Sequence, residues 1–302
     1  MKLIHSFLWS TMLITYLAQA DTQQRILVEH ELVEPVIELI KSAELAEQLG
    51  IIKTTTVSQS FIEGKGRVGI SSQRWLDSDM AEFVKRYGYQ PIELFFSSDA
   101  AAILVHRDNP INAIDMVSLE QIFACQTEAT TLNWNTINSS YAKSAIQRYA
   151  VSEELDQHRK FNELVACSDG KQNAATQVST TRLLSTLDKQ TDAIAYTLYQ
   201  NNFDQAKALQ LIDKQGDYFD LNHETILSGR YPLANVYYMY LNIAPNGNYS
   251  HSSYRQFVQY VQTDDAQQRM LKYGFIPLPE EALHRNLVTL QQTSPEIAGG
   301  YK

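Results

Sequence analysis

The stretch LSGRYPLANVYYMYLN, residues 227–242, opens with turn residues and then runs through aliphatic and aromatic side chains with little polar interruption. Three structures compete for such a run: a membrane span, a surface strand, or a strand buried on both faces. A span needs about 20 predominantly apolar residues, and Asn235 and Asn242 interrupt this one. A surface strand alternates polar with apolar positions, whereas Tyr237, Tyr238, Met239 and Tyr240 follow one another. Pro232 stands at the start, where a strand tolerates a missing N–H. The segment therefore reads as a strand covered on both faces, as in a mixed or parallel sheet flanked by helices.

The flanking sequence repeats that texture. Residues 25–29 (RILVE) predict a strand, and 34–49 a helix with Val36, Leu39, Ile40, Ala43 and Leu45 along one side. Strands are expected at 51–56, 67–71, 92–96 and 100–106. A short helix is expected to open at Phe61 and stop at Gly64, and another at 79–87 to end on Gly88. From 108 to about 230 the pattern becomes more helical: VSLEQIF (117–123) with Ser118 as cap, LDQHRKFNELVAC (155–167) and TRLLSTLDKQ (181–190). AIQRYAV (145–151) and DAIAYTL (192–198) read as strands. SYRQFVQYV (253–261) and DAQQRMLKYG (265–274) form a helix pair with Gly274 at the closing cap. Strands alternating with helices define an α/β protein.

Composition narrows the function classes. The 302 residues carry 25 Lys and Arg against 34 Asp and Glu, a formal charge of −9. No Lys/Arg run appears, which argues against nucleic acid as a partner, since a phosphate backbone demands basic clusters. Residues 1–20 (MKLIHSFLWSTMLITYLAQA) combine an early lysine, an apolar centre and an Ala-Gln-Ala end, the pattern of a secretory signal peptide cleaved after Ala20. The mature chain is expected in the periplasm, or secreted, with no membrane span after cleavage. In that oxidising setting the two cysteines, Cys125 and Cys167, suggest a disulfide, with a pair of buried thiols as the alternative. None of the seven histidines stands in an i, i+4 pair with another ligand type, so no metal site is indicated. The phosphate-cradling glycine loops and the nucleophile elbow are also missing, so no catalytic residue, cofactor or enzyme activity is expected.

Five ordered landmarks resemble one family. SDAAAILVHRDNP (98–110) resembles the strand-and-turn crossing between lobes in the phosphate-binding proteins of bacterial ABC importers, a class of two-lobed periplasmic substrate-binding proteins. SLEQIFACQTEATTLNW (118–134) is similar to the family's next helix and tryptophan turn, and DAIAYTLYQ (192–200) to a strand that commonly reads A-I-G-Y. RYPLANVYYMYLN (230–242) resembles the return crossing, with Asn235 where arginine is frequent. FVQYVQTDDAQQRMLKYGFIPLP (257–279) is similar to the closing helix pair. The resemblance implies two α/β lobes, each a mixed sheet flanked by helices, joined by two hinge crossings. Its implied boundaries are 21–104 and 234–302 for the first lobe and 105–233 for the second.

It also implies a function: an exported solute-binding protein holding a small oxyanion or related solute between the lobes, as a monomer, and handing it to an ABC permease. The hydroxyl-rich site of such proteins maps onto Thr54, Thr55 and Thr56 after the second strand and Ser71 and Ser72 after the third, with Arg74 as a nearby cation. In the second lobe Ser152 and Gln157 are the stand-ins for a family glycine-serine-glycine-threonine helix entrance that this chain does not have. Each has a plainer reading, as a strand residue or a helix cap. The site has also diverged in charge. Glu29, Glu31 and Glu34 stand where small residues are usual and repel an anion if they face the cleft, and Glu153, Glu154 and Asp156 crowd the second-lobe positions. That motivates a second function class: a recognition or sensory module on the same fold, binding another envelope protein.

Overall fold

The computed structural model describes residues 24–123, 132–141, 143–151, 175–200, 203, 206–245 and 253–294. Residues 1–20, Cys125, Ser152, Gln157 and Cys167 lie outside them.

The chain begins with three parallel strands, β1 (Gln24–Glu29), β2 (Leu49–Thr54) and β3 (Val68–Ser71), with β1 in the middle. Parallel neighbours require crossovers, supplied by α1 (Val33–Ser42) and α2 (Val57–Ile62). Gly69 lets α2 lie directly on β3: a Cβ there would come 2.6 Å from Val57 Cγ1 and 3.2 Å from Phe61. α3 (Asp77–Tyr87) follows and ends at Gly88, in the left-handed region at φ 81° as anticipated.

β4 (Ile92–His106) is a single strand of 15 residues. The sequence suggested two strands parted by Ser97, Ser98 and Asp99. All three are buried, and their main chain stays in the ladder opposite Tyr237, Val236 and Asn235. The long strand changes partner partway. Up to Ala100 it pairs with β12 (Ala234–Leu241), and from Ala101 to Val105 with β8 (Ala193–Leu198). Beyond it come β5 (Ala113–Asp115), α4 (Met116–Phe123), α5 (Trp134–Ile137), β6 (Gln147–Val151), β7 (Thr176–Val178) and α6 (Thr180–Leu187). After β8 follow β9 (Ala206–Ala208), β10 (Gln210–Ile212), β11 (Tyr218–Phe219) and α7 (His223–Leu227). The chain returns through β12 and finishes with α8 (Ser253–Val261), α9 (Asp264–Met270) and α10 (Glu280–Thr289).

The result is a nine-stranded mixed sheet in the order β2-β1-β3-β12-β4-β8-β6-β7, with β9 beside β4, and a small sheet β11-β10-β5. β12 lies between β3 and β4, antiparallel to both, and both its faces are covered. Met239 and Leu241 join Ile26, Val28, Phe96 and Phe257 in one core. Tyr240 joins Leu27, Phe61, Trp75 and Phe83 in the core on the opposite face. The far half of the sheet has cores of its own, around Phe123, Ile194 and Tyr196 on one face and Val151, Leu183 and Leu187 on the other. Two sets of cores strung along one sheet make a mixed α/β protein in two parts, linked by β4 and β12.

Several boundaries differ from expectation for identifiable reasons. The helix predicted over 34–49 stops at Ser42, because Glu44 takes φ 59° and Leu49 already pairs with Gln24. The second strand correspondingly begins at Leu49 and ends at Thr54, and Phe61 and Ile62 close α2 instead of opening it. The cap of α4 is Asp115, whose carboxylate accepts from the Ser118 N–H at 2.8 Å and its hydroxyl at 2.7 Å. Ser118 was expected in that role. Glu280 and Glu281 occupy the first turn of α10, where carboxylates suit the helix dipole.

Candidate functional site

Three parallel strands release their C-terminal ends side by side, the place where open α/β sheets commonly hold ligands. The register sets Glu29 opposite Thr54, and Val28 opposite Ile70, so Thr54, Glu29 and Ser71 stand abreast. Around these ends lies a cavity of about 370 Å³, its wall continued by His30, Thr55, Thr56, Ser72, Arg74 and Asp79. The fold thus brings five of the seven expected binding residues, Thr54 to Thr56 with Ser71 and Ser72, to one cavity. Thr55 and Thr56 are exposed at its rim, while Ser71 and Ser72 are each only 4% exposed.

The hydroxyls are partly engaged within the chain. Thr54 Oγ1 lies 3.0 Å from Ser60 Oγ and accepts from the Thr56 N–H at 3.2 Å, which ties the end of β2 to α2. Glu29 makes the closest association. Its Oε1 accepts from the Ser71 hydroxyl at 3.0 Å, and its Oε2 from the Ser72 N–H at 2.9 Å and from the Ser72 hydroxyl. One carboxylate therefore sits in a cradle of three donors. Sequence reasoning named both serines and named Glu29, yet as opposing features. The pairing was missed, and the adjacency of β1 and β3 is the signal that reveals it.

Arg74 in the wall is also engaged, as is Lys53. The Arg74 guanidinium meets both oxygens of Glu93, at 3.1 and 3.0 Å, and this contact raises its affinity for the proton. Lys53 Nζ stands 3.3 Å from His30 Nε2. Glu31 and Asp79 add acid to the lining, whereas Glu34 is exposed and lies outside it. Behind the cavity, Trp75 stacks on Tyr240 at 4.1 Å between ring centroids. The Tyr240 hydroxyl accepts from the main-chain N–H of Trp75 at 2.9 Å and donates to Glu93 at 3.1 Å. Burial pushes this phenol well above its ordinary pKa, so it stays a neutral donor. An aromatic wall thereby locks residues 71–75 to the return strand.

A two-part mixed sheet with hydroxyl-bearing strand ends around a cleft defines a solute-binding fold. The family model described as PBP superfamily domain matches residues 53–265, and the chain belongs to that family. The phosphate-binding protein PstS of Pseudomonas aeruginosa is 27% identical over 251 residues, covering 80% of this chain and 77% of the relative. Protein SphX of Synechococcus elongatus is 25% identical, covering 78% and 69%. Among solved structures, a possible phosphate binding protein from Planctomyces limnophilus superposes with a TM-score of 0.68 at 16% identity, covering 89% of this chain and 98% of that one. PstS from Borrelia burgdorferi superposes at 0.56 with 13% identity, over 85% and 100%. At such identities the structures speak for the two-lobed fold alone.

Proposed function

We propose that this protein is the solute receptor of an envelope importer, closing two lobes over an oxyanion of the phosphate class and presenting it to a permease. The observation that carries this is the set of hydroxyl-bearing strand ends, Thr54 and Ser71 with Ser72, converging on one cavity in a chain related to PstS. The lobes of this reading are residues 21–104 with 234–302, and residues 105–233. Ser152 and Gln157 would supply the second jaw. The two passages β4 and β12 suit a hinge, because a rotation there changes the cleft without breaking either core. The reading includes export after cleavage at Ala20, a periplasmic monomer, a Cys125–Cys167 bridge and no catalysis. Calorimetry on the mature protein tests it. Saturable phosphate binding, with arsenate, sulfate and molybdate compared, is the expected result, and no heat at millimolar phosphate would overturn it.

The acidic lining formed by Glu29, Glu31 and Asp79 favours one second reading, a recognition or sensory module whose cleft binds another envelope protein. A stable protein partner recovered from envelope extract, together with silence toward every oxyanion, would select it.

A further inference from the structure

We infer that Glu29 is a resident anion: its carboxylate occupies the anion cradle of the first lobe, and an incoming oxyanion binds there by displacing it. This rests on the oxyanion reading for the identity of the ligand, but the occupancy itself rests on geometry. Ser71 and Ser72, both nine-tenths buried, turn two hydroxyls and one N–H onto the two oxygens of Glu29. Three convergent donors make an oxyanion site whatever fills it, and two oxygens of a tetrahedral anion can take the place of the two carboxylate oxygens.

Glu29 is suited to leave. It is the last residue of β1, half-exposed, and the 3-10 turn His30–Leu32 begins directly after it. Its side chain can rotate into the cavity while the Ile26–Val28 core behind it stays packed. Exchange has two consequences. The ligand gains only the difference between its own contacts and those of the carboxylate, so affinity is lowered. The displaced carboxylate also remains close, repelling a multiply charged ligand more than a singly charged one. Glu29 thereby sets both the working concentration and the preferred ligand charge of this receptor.

The test uses the wild-type mature chain, Glu29→Ala and Glu29→Gln, in buffer free of phosphate and carboxylates. Acetate and formate probe the cradle by thermal unfolding, and inorganic phosphate is titrated by calorimetry. The expected result is that acetate or formate raises the melting temperature of Glu29→Ala by several degrees and leaves wild type unmoved. Phosphate should bind Glu29→Ala at least tenfold more tightly than wild type, a difference of about 1.4 kcal/mol, with Glu29→Gln between them. The glutamine variant keeps the volume and one acceptor oxygen, so it preserves the test if the alanine variant folds poorly. Phosphate binding that is equal or weaker in both variants would overturn the inference while leaving the oxyanion reading intact. Rescue by acetate with no phosphate binding to any variant would keep the resident anion and remove the oxyanion reading. No stabilisation of Glu29→Ala by acetate or formate, together with no phosphate binding to any variant, removes both.

Discussion

Asp99 and Glu29 are carboxylates held by donors from distant parts of the chain, and their settings differ. Asp99 lies midway along β4, 5% exposed, accepting from Asn235 Nδ2 at 2.8 Å and from the Tyr237 hydroxyl, both on β12. Glu29 ends β1 at the wall of the cavity, half-exposed, accepting from Ser71 and Ser72. In the first case water has no ready access, so the carboxylate and its donors depend on each other for solvation. In the second, water or a ligand can take over the vacated donors. Similar bonding therefore serves as a fastening where it is sealed and as a displaceable contact where it is open.

The sharpest way to break this comparison is to remove each carboxylate. Asp99→Ala takes the carboxylate acceptor away from buried donors on β12 and should cost about 3 kcal/mol in urea unfolding. A loss under about 1 kcal/mol would mean that the crossing is as accessible as the cleft. Tyr240→Phe comes next. It deletes a buried hydroxyl that serves both Trp75 and Glu93, and about 1.5 kcal/mol should disappear from the unfolding free energy. Glu29→Ala should cost only about 1 kcal/mol in anion-free buffer, since the cavity lets water take the place of the removed carboxylate beside the serine donors. If it proves as damaging as Asp99→Ala, the carboxylate is a fastening and the proposed exchange fails. The smallest effect is expected from Arg74→Ala, whose side chain is 68% exposed while paired with Glu93. Its removal should shift stability by less than about 0.5 kcal/mol; a larger loss would show that the outer wall is braced as firmly as the crossing.

The parts of the fold legible in the sequence are those governed by local pattern. Gly88 and Gly274 end their segments in the left-handed region, at φ 81° and 79°, as glycine after an apolar helix suggests. Other limits were obscured by longer-range demands. The polar triplet Ser97-Ser98-Asp99 reads as a break, yet the ladder with β12 carries the chain straight through it. Leu49 reads as the end of a helix, yet pairing with Gln24 makes it the start of β2. In the site, the candidate hydroxyls were visible as residue types in a plausible order. Their engagement was not, because the contact of Ser71 with Glu29 depends on a register that no local window contains.

By itself the sequence determined that the stretch 227–242 holds an interior strand and that the chain is α/β, because the apolar run leaves no face for water and periodicity is a property of neighbours. The tertiary structure alone decided what Glu29 does. Forty-two positions separate it from Ser71, and only the parallel pairing of β1 with β3 closes that distance. A charge that appears set against an anion becomes, once the strands align, the anion the cradle already holds.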